Sequence, residues 1–182
     1  MLATAATGIH PFSLSAATNS PVVSKIPGDR FDPWIEVNHK ALLHNVAEVR
    51  RLTNGRPILA VIKNNAYGLG LTLAAKLLEP LPEIKAFAVV KLDAAIMLRE
   101  SGIKKPVHLM ARFPASAAKE LAHQNIIPCI MDADTIDFIK PMANVIGGPV
   151  PTQLYLDTGM SRMGINFRKA VPLIKSLANS GR

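Results

Sequence analysis

The sequence predicts an α/β protein with a parallel sheet, and three observations carry this prediction. From residue 31 onward, short apolar runs alternate with amphipathic stretches at intervals of roughly twenty to thirty residues. The runs are apolar at successive positions, which is typical of strands covered on both faces of a sheet. A doubly wound sheet or a (β/α) barrel fits this pattern. Since a complete barrel takes ~200–250 residues, a barrel in this 182-residue chain would lack its last strands.

Each element is predicted from its local periodicity. A strand is expected at residues 34–38, and the apolar spacing between Leu42 and Leu52 predicts the first helix. Gly102 is expected to end a later helix. The other predicted strands are residues 57–62, 86–90, 107–111, 127–131 and 153–156. The other predicted helices are residues 71–78, 94–101, 115–123, 135–142 and 170–177.

The first part of the chain has a different composition. Residues 1–28 contain no Asp or Glu and are rich in Ala, Ser, Thr and Pro, which predicts a disordered leader at residues 1–30. An acid-free, Ser-rich leader fits a transit peptide to a plastid or mitochondrion, whereas a secretory signal would need a charged start and an apolar segment. A tail without function, on a cytoplasmic protein, is the open alternative, because no Arg precedes Arg30. Residues 31–182 are predicted to be the folded domain.

Composition excludes several classes of protein. No apolar run approaches the ~18–20 residues that span a bilayer, so no membrane association is predicted. The single cysteine, Cys129, excludes an internal disulfide and a thiolate zinc cluster, and it is expected to be a buried core residue. The net charge of +8 comes from scattered basic residues, which favours attraction of anionic ligands over nucleic-acid binding.

Histidines and two aspartates receive structural interpretations. No pair of histidines has metal-ligand spacing, so no metal site is predicted and all five are expected to be structural or surface residues. Asp132 and Asp134 follow a predicted strand and are expected to cap the next helix. The five histidines are His10, His39, His44, His108 and His123.

The first segment with chemical potential is residues 60–70, with the sequence AVIKNNAYGLG. Lys63 ends an apolar strand, where a barrel or an open sheet places its active site. Two glycines then permit a tight turn into a helix. A partly desolvated lysine at that place can form a Schiff base, although a surface lysine at a strand end is the open alternative. Tyr67 is either part of this site or a half-buried packing residue.

The second segment is residues 154–164, with the sequence LYLDTGMSRMG. A strand again runs into a glycine-flanked loop, which carries Arg162 at the same end of the sheet. The guanidinium of Arg162 can bind a substrate carboxylate or a phosphate with two parallel hydrogen bonds. An ion pair between Arg162 and Asp157 is the structural alternative.

Together the two segments resemble the signatures of alanine racemases, which depend on pyridoxal phosphate and have fold type III. Residues 61–70 are similar to the pattern Val-x-Lys-x-Asn-Ala-Tyr-Gly-x-Gly, and residues 157–164 are similar to Asp-Thr-Gly-Met-Ser-Arg-Met-Gly. The resemblance extends from about residue 34 to the end of the chain. Further matches lie at residues 34–37, His44-Asn45, residues 87–90 and Leu98-Arg99.

The resemblance implies a fold, an activity and roles for three residues. Residues 31–182 would be the amino-terminal part of a TIM-like barrel of parallel strands, without the last strands and the carboxy-terminal β domain. The family interconverts L- and D-alanine, and full-length members are homodimers. The lysine matching Lys63 forms the internal aldimine with pyridoxal phosphate and is one of two catalytic bases. The tyrosine matching Tyr67 holds the cofactor phosphate, and the arginine matching Arg162 positions the substrate carboxylate.

Three departures from the family pattern affect what is expected. Leu69 stands where the family commonly has histidine, and Tyr155 stands where many members have a carbamylated lysine that steadies the arginine. The later barrel strands, with a second catalytic tyrosine and an arginine facing the pyridine nitrogen, have no counterpart before Arg182. This chain alone is therefore expected to racemise poorly, because two-sided proton transfer needs two bases. The alternatives are a cofactor-binding barrel protein without racemase activity and a non-catalytic fragment.

Overall fold

Five parallel strands form the central sheet of the computed structural model, which describes residues 35–179. The strands are β1 (Ile58–Val61), β2 (Ile84–Val89), β3 (Val107–Leu109), β4 (Ile126–Ile130) and β5 (Gln153–Leu154). Their order in the sheet is their order in the sequence, β1-β2-β3-β4-β5. A doubly wound sheet reverses its strand order at a switch point, whereas sequential parallel strands are typical of a barrel. The sheet is therefore part of a (β/α) barrel.

The helices alternate with the strands along the chain. They are α1 (His39–Leu52), α3 (Leu71–Leu78), α4 (Leu92–Glu100), α5 (Ala118–His123) and α6 (Ala133–Ile146), with a 3₁₀ turn at Ala115–Ala117. A short turn, α2 (Lys63–Tyr67), lies between β1 and α3. These bounds confirm most of the predicted elements, and α3 coincides with the predicted helix 71–78. No helix within residues 35–179 is long and apolar enough to cross a membrane.

The strand predicted at residues 34–38 is wrong for the residues that the structure describes there. Residues 35–38 lie in no strand. Asn38 instead begins α1, because its Oδ1 accepts a hydrogen bond from the Ala41 N–H at 3.1 Å. Ile35, one of the apolar residues of this alternating pattern, is 70% exposed and therefore does not pack against a sheet. The predicted leader, residues 1–30, lies outside the described residues.

The core lies between the sheet and the helices. Phe87 and Val89 on β2 and Val107 and Leu109 on β3 point into it, and the helices contribute residues such as Leu98. Because side chains alternate across a strand, His108 points to the opposite face, away from the helical core. Burial of this many apolar side chains supplies the main driving force for folding.

The chain beyond β5 forms a smaller unit of structure. Strand β6 (Leu156–Asp157) pairs in parallel with β7 (Ile165–Asn166), and α7 (Phe167–Asn179) follows. The strand predicted at residues 153–156 is thus interrupted at Tyr155, whose N–H still bonds the Ile130 carbonyl at 2.9 Å. The loop between β6 and β7 carries Arg162.

Candidate active site

Lys63 lies at the carboxyl end of β1, as its position in the sequence predicts. The preceding Ile62 is buried, and its N–H donates to the carbonyl of Ala88 on β2 at 2.9 Å. This bond and the burial of Ile62 fix the chain where the strand ends. Lys63 is half-buried directly after this anchor, and no ion pair involving its amine is present within residues 35–179.

The turn after Lys63 is left-handed, which sequence reasoning did not anticipate. Four consecutive residues without a glycine, Asn64, Asn65, Ala66 and Tyr67, have φ between 51° and 55°. Each L-residue in this conformation costs roughly 1–2 kcal/mol, and asparagine tolerates it best. Strain of this kind persists only where the surroundings over-determine it, and it clusters at functional sites.

Burial and hydrogen bonds hold this turn in place. Ala66 is only 3% exposed, and its N–H donates to the Ile62 carbonyl at 3.1 Å. The Asn65 carbonyl accepts from the N–H groups of Gly68 at 3.1 Å and Gly70 at 3.0 Å. With Ala66 directed inward, the next side chain, Tyr67, projects outward and is 64% exposed. Its phenol is therefore available to a ligand, so Tyr67 is not the half-buried packing residue of the alternative interpretation.

The loop that carries Arg162 is organised around Asp157. The Oδ1 of Asp157 accepts from the N–H groups of Gly159 at 3.0 Å and Ser161 at 2.9 Å. The hydrogen bond from the Ser161 N–H, followed by that from Gly159, lowers the pKa of Asp157 below its ordinary value of 3.8. The carboxylate thus stays charged at neutral pH and ties the loop to the end of β6.

Arg162 itself is exposed and unpaired. No hydrogen bond or ion pair of its guanidinium exists in the part of the chain that the structure describes, and its expected structural partner Asp157 is occupied by backbone N–H groups instead. A loop held by several hydrogen bonds therefore presents a free guanidinium. That arrangement suits the binding of a carboxylate or a phosphate.

Lys63 and Arg162 both lie beyond the carboxyl ends of the strands, but near opposite outer strands of the sheet. Both follow the carboxyl ends of parallel strands, Lys63 after β1 and Arg162 after β6, which continues the chain from β5. Within the described residues, β1 and β5 are the two outer strands of the sheet. Only the curl of a barrel turns these two outer strands towards each other.

A further cation on this edge was missed by sequence reasoning. Arg112 follows the end of β3, and its Nη2 lies 2.8 Å from Asp132 Oδ2 and 3.5 Å from Asp134 Oδ2. Asp132 also caps α6 by accepting from the Thr135 N–H at 2.9 Å, which confirms its predicted role. Arg112 follows a predicted strand, as Lys63 does, and this position in the sequence was the signal that could have identified it.

Three polar side chains meet on the sheet face that points away from the helices. The Sγ of Cys129 lies 3.5 Å from Oε1 of Gln153, and Gln153 also hydrogen-bonds His108. Burial lowers the pKa of His108 below 6.5, which the bond to Gln153 only partly offsets. Burial also raises the pKa of Cys129 to about 11, so the thiol is protonated and is the buried core group that was expected.

Comparison with known proteins identifies the family. The family model described as alanine racemase, N-terminal domain, matches residues 37–182. The chain belongs to the alanine racemase family. It is 34% identical over 140 residues to the alanine racemase of Desulfosudis oleivorans and 33% identical over 130 residues to that of Aquifex pyrophilus. Its fold is similar to alanine racemase from Clostridium difficile 630, with a TM-score of 0.66 at 27% identity.

The matches cover most of this chain but a minor part of each relative. The Desulfosudis alignment covers 75% of this chain and 35% of the relative, and the Aquifex alignment covers 71% and 36%. The Clostridium comparison covers 78% of this chain and 40% of that structure. The folded part of the chain therefore corresponds to the amino-terminal part of the alanine racemase barrel, which confirms the predicted fold.

Proposed function

We propose that this chain forms the cofactor-binding part of a pyridoxal-phosphate-dependent alanine racemase, which interconverts L-alanine and D-alanine. The observation that carries the proposal is the turn at residues 64–67, which is strained and left-handed and directly follows Lys63. Lys63 precedes this turn and Tyr67, whose side chain is exposed, ends it, at the carboxyl edge of a barrel sheet. This edge is where barrel enzymes have their active sites.

The residues at this edge have the chemistry that pyridoxal phosphate requires. Lys63 offers an amine without an ion-pair partner in the described part of the chain, and such an amine can bind the cofactor aldehyde covalently. The exposed phenol of Tyr67 can donate a hydrogen bond to the cofactor phosphate. When bound, the cofactor accepts electrons from the amino acid and so makes the α-proton acidic.

Lys63 and Arg162 then have complementary tasks. Arg162 binds the substrate carboxylate with its planar guanidinium and orients the amino acid. Lys63 Nζ removes or returns the α-proton from one face. Inversion needs a second acid or base on the opposite face, and we expect this group to come from outside the part of the family that this chain matches. The 182 residues alone should therefore racemise slowly, and losing one positioned acid or base typically costs ~10²–10⁴ in rate.

A spectroscopic experiment tests the cofactor claim. Purified chain is incubated with pyridoxal phosphate, and we expect a visible absorbance band that borohydride reduction abolishes. Peptide mass spectrometry should then find the reduced adduct on Lys63. Lys63→Ala should stay colourless. Lys91→Ala is the matched control, because Lys91 is an exposed lysine that follows β2 at the same edge. This variant should keep the band.

Two further outcomes separate the alternatives. If the wild-type chain stays colourless, or if the adduct forms on other lysines, the chain is not the cofactor-binding part of a racemase. If the band forms but no D-alanine appears from L-alanine, even when a partner supplies the remaining family segments, the chain is a cofactor-binding protein without racemase activity.

A further inference from the structure

Asn65 takes part in three hydrogen bonds of the turn after Lys63. Its carbonyl accepts from Gly68 and Gly70, and its side-chain Oδ1 accepts from the Leu71 N–H at 2.8 Å. Leu71 is the first residue of α3, and Gly70 before it has no side chain that could cap the helix. Asn65 therefore connects the left-handed turn to the amino terminus of α3 from inside the same loop.

The bond to Leu71 also uses one of the N–H groups at the start of α3. Free N–H groups at a helix terminus attract anions, but the Leu71 N–H is already used by Asn65. The helix thus serves as a fixed support: Leu71, Ala74 and Ala75 are buried against the core. A turn bonded to this support has little freedom to move.

Asn64 provides an internal comparison. It has the same left-handed conformation as Asn65, with φ of 51° against 54°. Its side chain is exposed and makes no hydrogen bond within the described residues. The two asparagines thus share the backbone strain and differ in the bond to α3, so the effect of that bond can be measured separately.

We infer that Asn65 is a positioning residue, which acts through Tyr67 to fix the phosphate end of the cofactor. This inference rests on the proposed function. Tyr67 is two residues after Asn65 and belongs to the same turn, so its direction depends on the left-handed backbone being kept. Without the bond from Oδ1 to the Leu71 N–H, the turn loses its link to α3 and can relax towards ordinary backbone angles. The phenol of Tyr67 then moves away from the phosphate.

Two ligands distinguish this role from a general loss of structure. Pyridoxal phosphate and pyridoxal both carry the aldehyde that reacts with Lys63, but only the first carries the phosphate. If Asn65 acts through Tyr67, its substitution should weaken the phosphate-bearing ligand selectively. A merely structural role would weaken both ligands alike.

The experiment compares Asn65→Gly, Asn65→Asp and Asn64→Gly in the full chain, with the visible band as the measure of affinity. Glycine adopts the positive φ without strain, so Asn65→Gly removes the side-chain bond without forcing the backbone out of its left-handed conformation. We expect it to weaken pyridoxal phosphate binding ~5–30-fold and pyridoxal binding less than ~2-fold. Asn65→Asp keeps an acceptor oxygen and should restore most of the affinity. Asn64→Gly should leave both affinities unchanged.

Hydrogen exchange provides a readout that needs no cofactor. The Leu71 amide should exchange ~10-fold or more faster in Asn65→Gly and at the wild-type rate in Asn64→Gly. Equal weakening of pyridoxal and pyridoxal phosphate, or an unchanged phosphate affinity, would overturn the positioning role while leaving the proposed function intact. A wild-type chain that binds neither ligand would overturn the proposed function and the inference with it.

Discussion

The ring of Tyr155 lies against the α carbon of Gly164. A Cβ atom at position 164 would come within 2.7 Å of Tyr155 Cδ1 and 2.9 Å of the Tyr155 carbonyl oxygen. The Ile165 N–H donates to that same carbonyl at 2.9 Å. Gly164 also has a φ of +103°, a backbone angle that residues with a side chain rarely adopt. The loop that presents Arg162 thus closes on a contact that only glycine permits.

Gly164→Ala should loosen this loop. Positive φ costs an alanine ~1–3 kcal/mol, and the collision with Tyr155 adds a further ~1–3 kcal/mol because backbone atoms are involved. Urea unfolding followed by circular dichroism measures the total loss of stability. We also expect weaker binding of the substrate carboxylate, since Arg162 is two residues away.

Gly159→Ala is the matched control for this prediction. Gly159 lies in the same loop at φ of +137°, where an added Cβ would meet no atom of the described residues within 4 Å. Its substitution therefore adds strain without a collision and should destabilise the chain less. Equal losses for the two variants would show that the contact with Tyr155 has no energetic role.

His108 should make the stability of the chain depend on pH. Because burial lowers its pKa below 6.5, the unfolded chain binds this proton at a pH where the folded chain does not. The contribution of His108 to stability should therefore be fully present above pH 6.5. It should be lost as the pH falls from 6.5 towards the folded-state pKa. His108→Gln removes the titrating group, so the decline between these two pKa values should become shallower. Urea unfolding at a series of pH values measures this slope.

His123→Gln gives the comparison for the His108 experiment. His123 ends α5 and is exposed, and the substitution is chemically the same. We expect its slope to match that of the wild type. A His108→Gln slope indistinguishable from the wild type would mean that protonation of His108 is not coupled to folding.

Arg99 should be essential to the fold at the amino end of the sheet. Its guanidinium donates to four backbone carbonyls, with distances between 2.7 and 3.0 Å. A lysine ammonium is a point charge and cannot reach all four. Arg99→Lys should therefore cost ~2–4 kcal/mol of stability, since partly buried carbonyls lose hydrogen bonds from a charged donor. The midpoint of urea unfolding measures the effect. The four acceptors are the carbonyls of Ile103, Lys105, Gln124 and Asn125.

Arg51→Lys controls for the arginine-to-lysine change itself. Arg51 is exposed on α1, and its guanidinium pairs with Glu48 at 2.9 Å. Exposed ion pairs contribute little to stability, so this variant should unfold like the wild type. If Arg99→Lys behaves in the same way, the carbonyls around Arg99 find other donors and the network is not stabilising.

The sequence determined the positions of most elements and the two segments that carry Lys63 and Arg162. Apolar periodicity is a local property, so it predicted the helix 71–78 with its observed bounds and the strands around it within a few residues. The same reasoning placed Lys63 at the end of a strand and Arg162 in the glycine-flanked loop that follows one. It failed at residues 35–38, which lie in no strand and lead directly into α1.

Only the tertiary structure decided between a doubly wound sheet and a barrel, because both have the same local pattern and differ in strand order. It also decided the left-handed turn after Lys63. Glycine and asparagine made an unusual backbone plausible there, but Ala66 and Tyr67 avoid positive φ on their own. Their conformation follows from the burial of Ala66 and the bonds of Asn65 to Gly68, Gly70 and Leu71. The burial of Ala66 arises only once β1 and α3 are packed in the same core, so no local pattern could specify it.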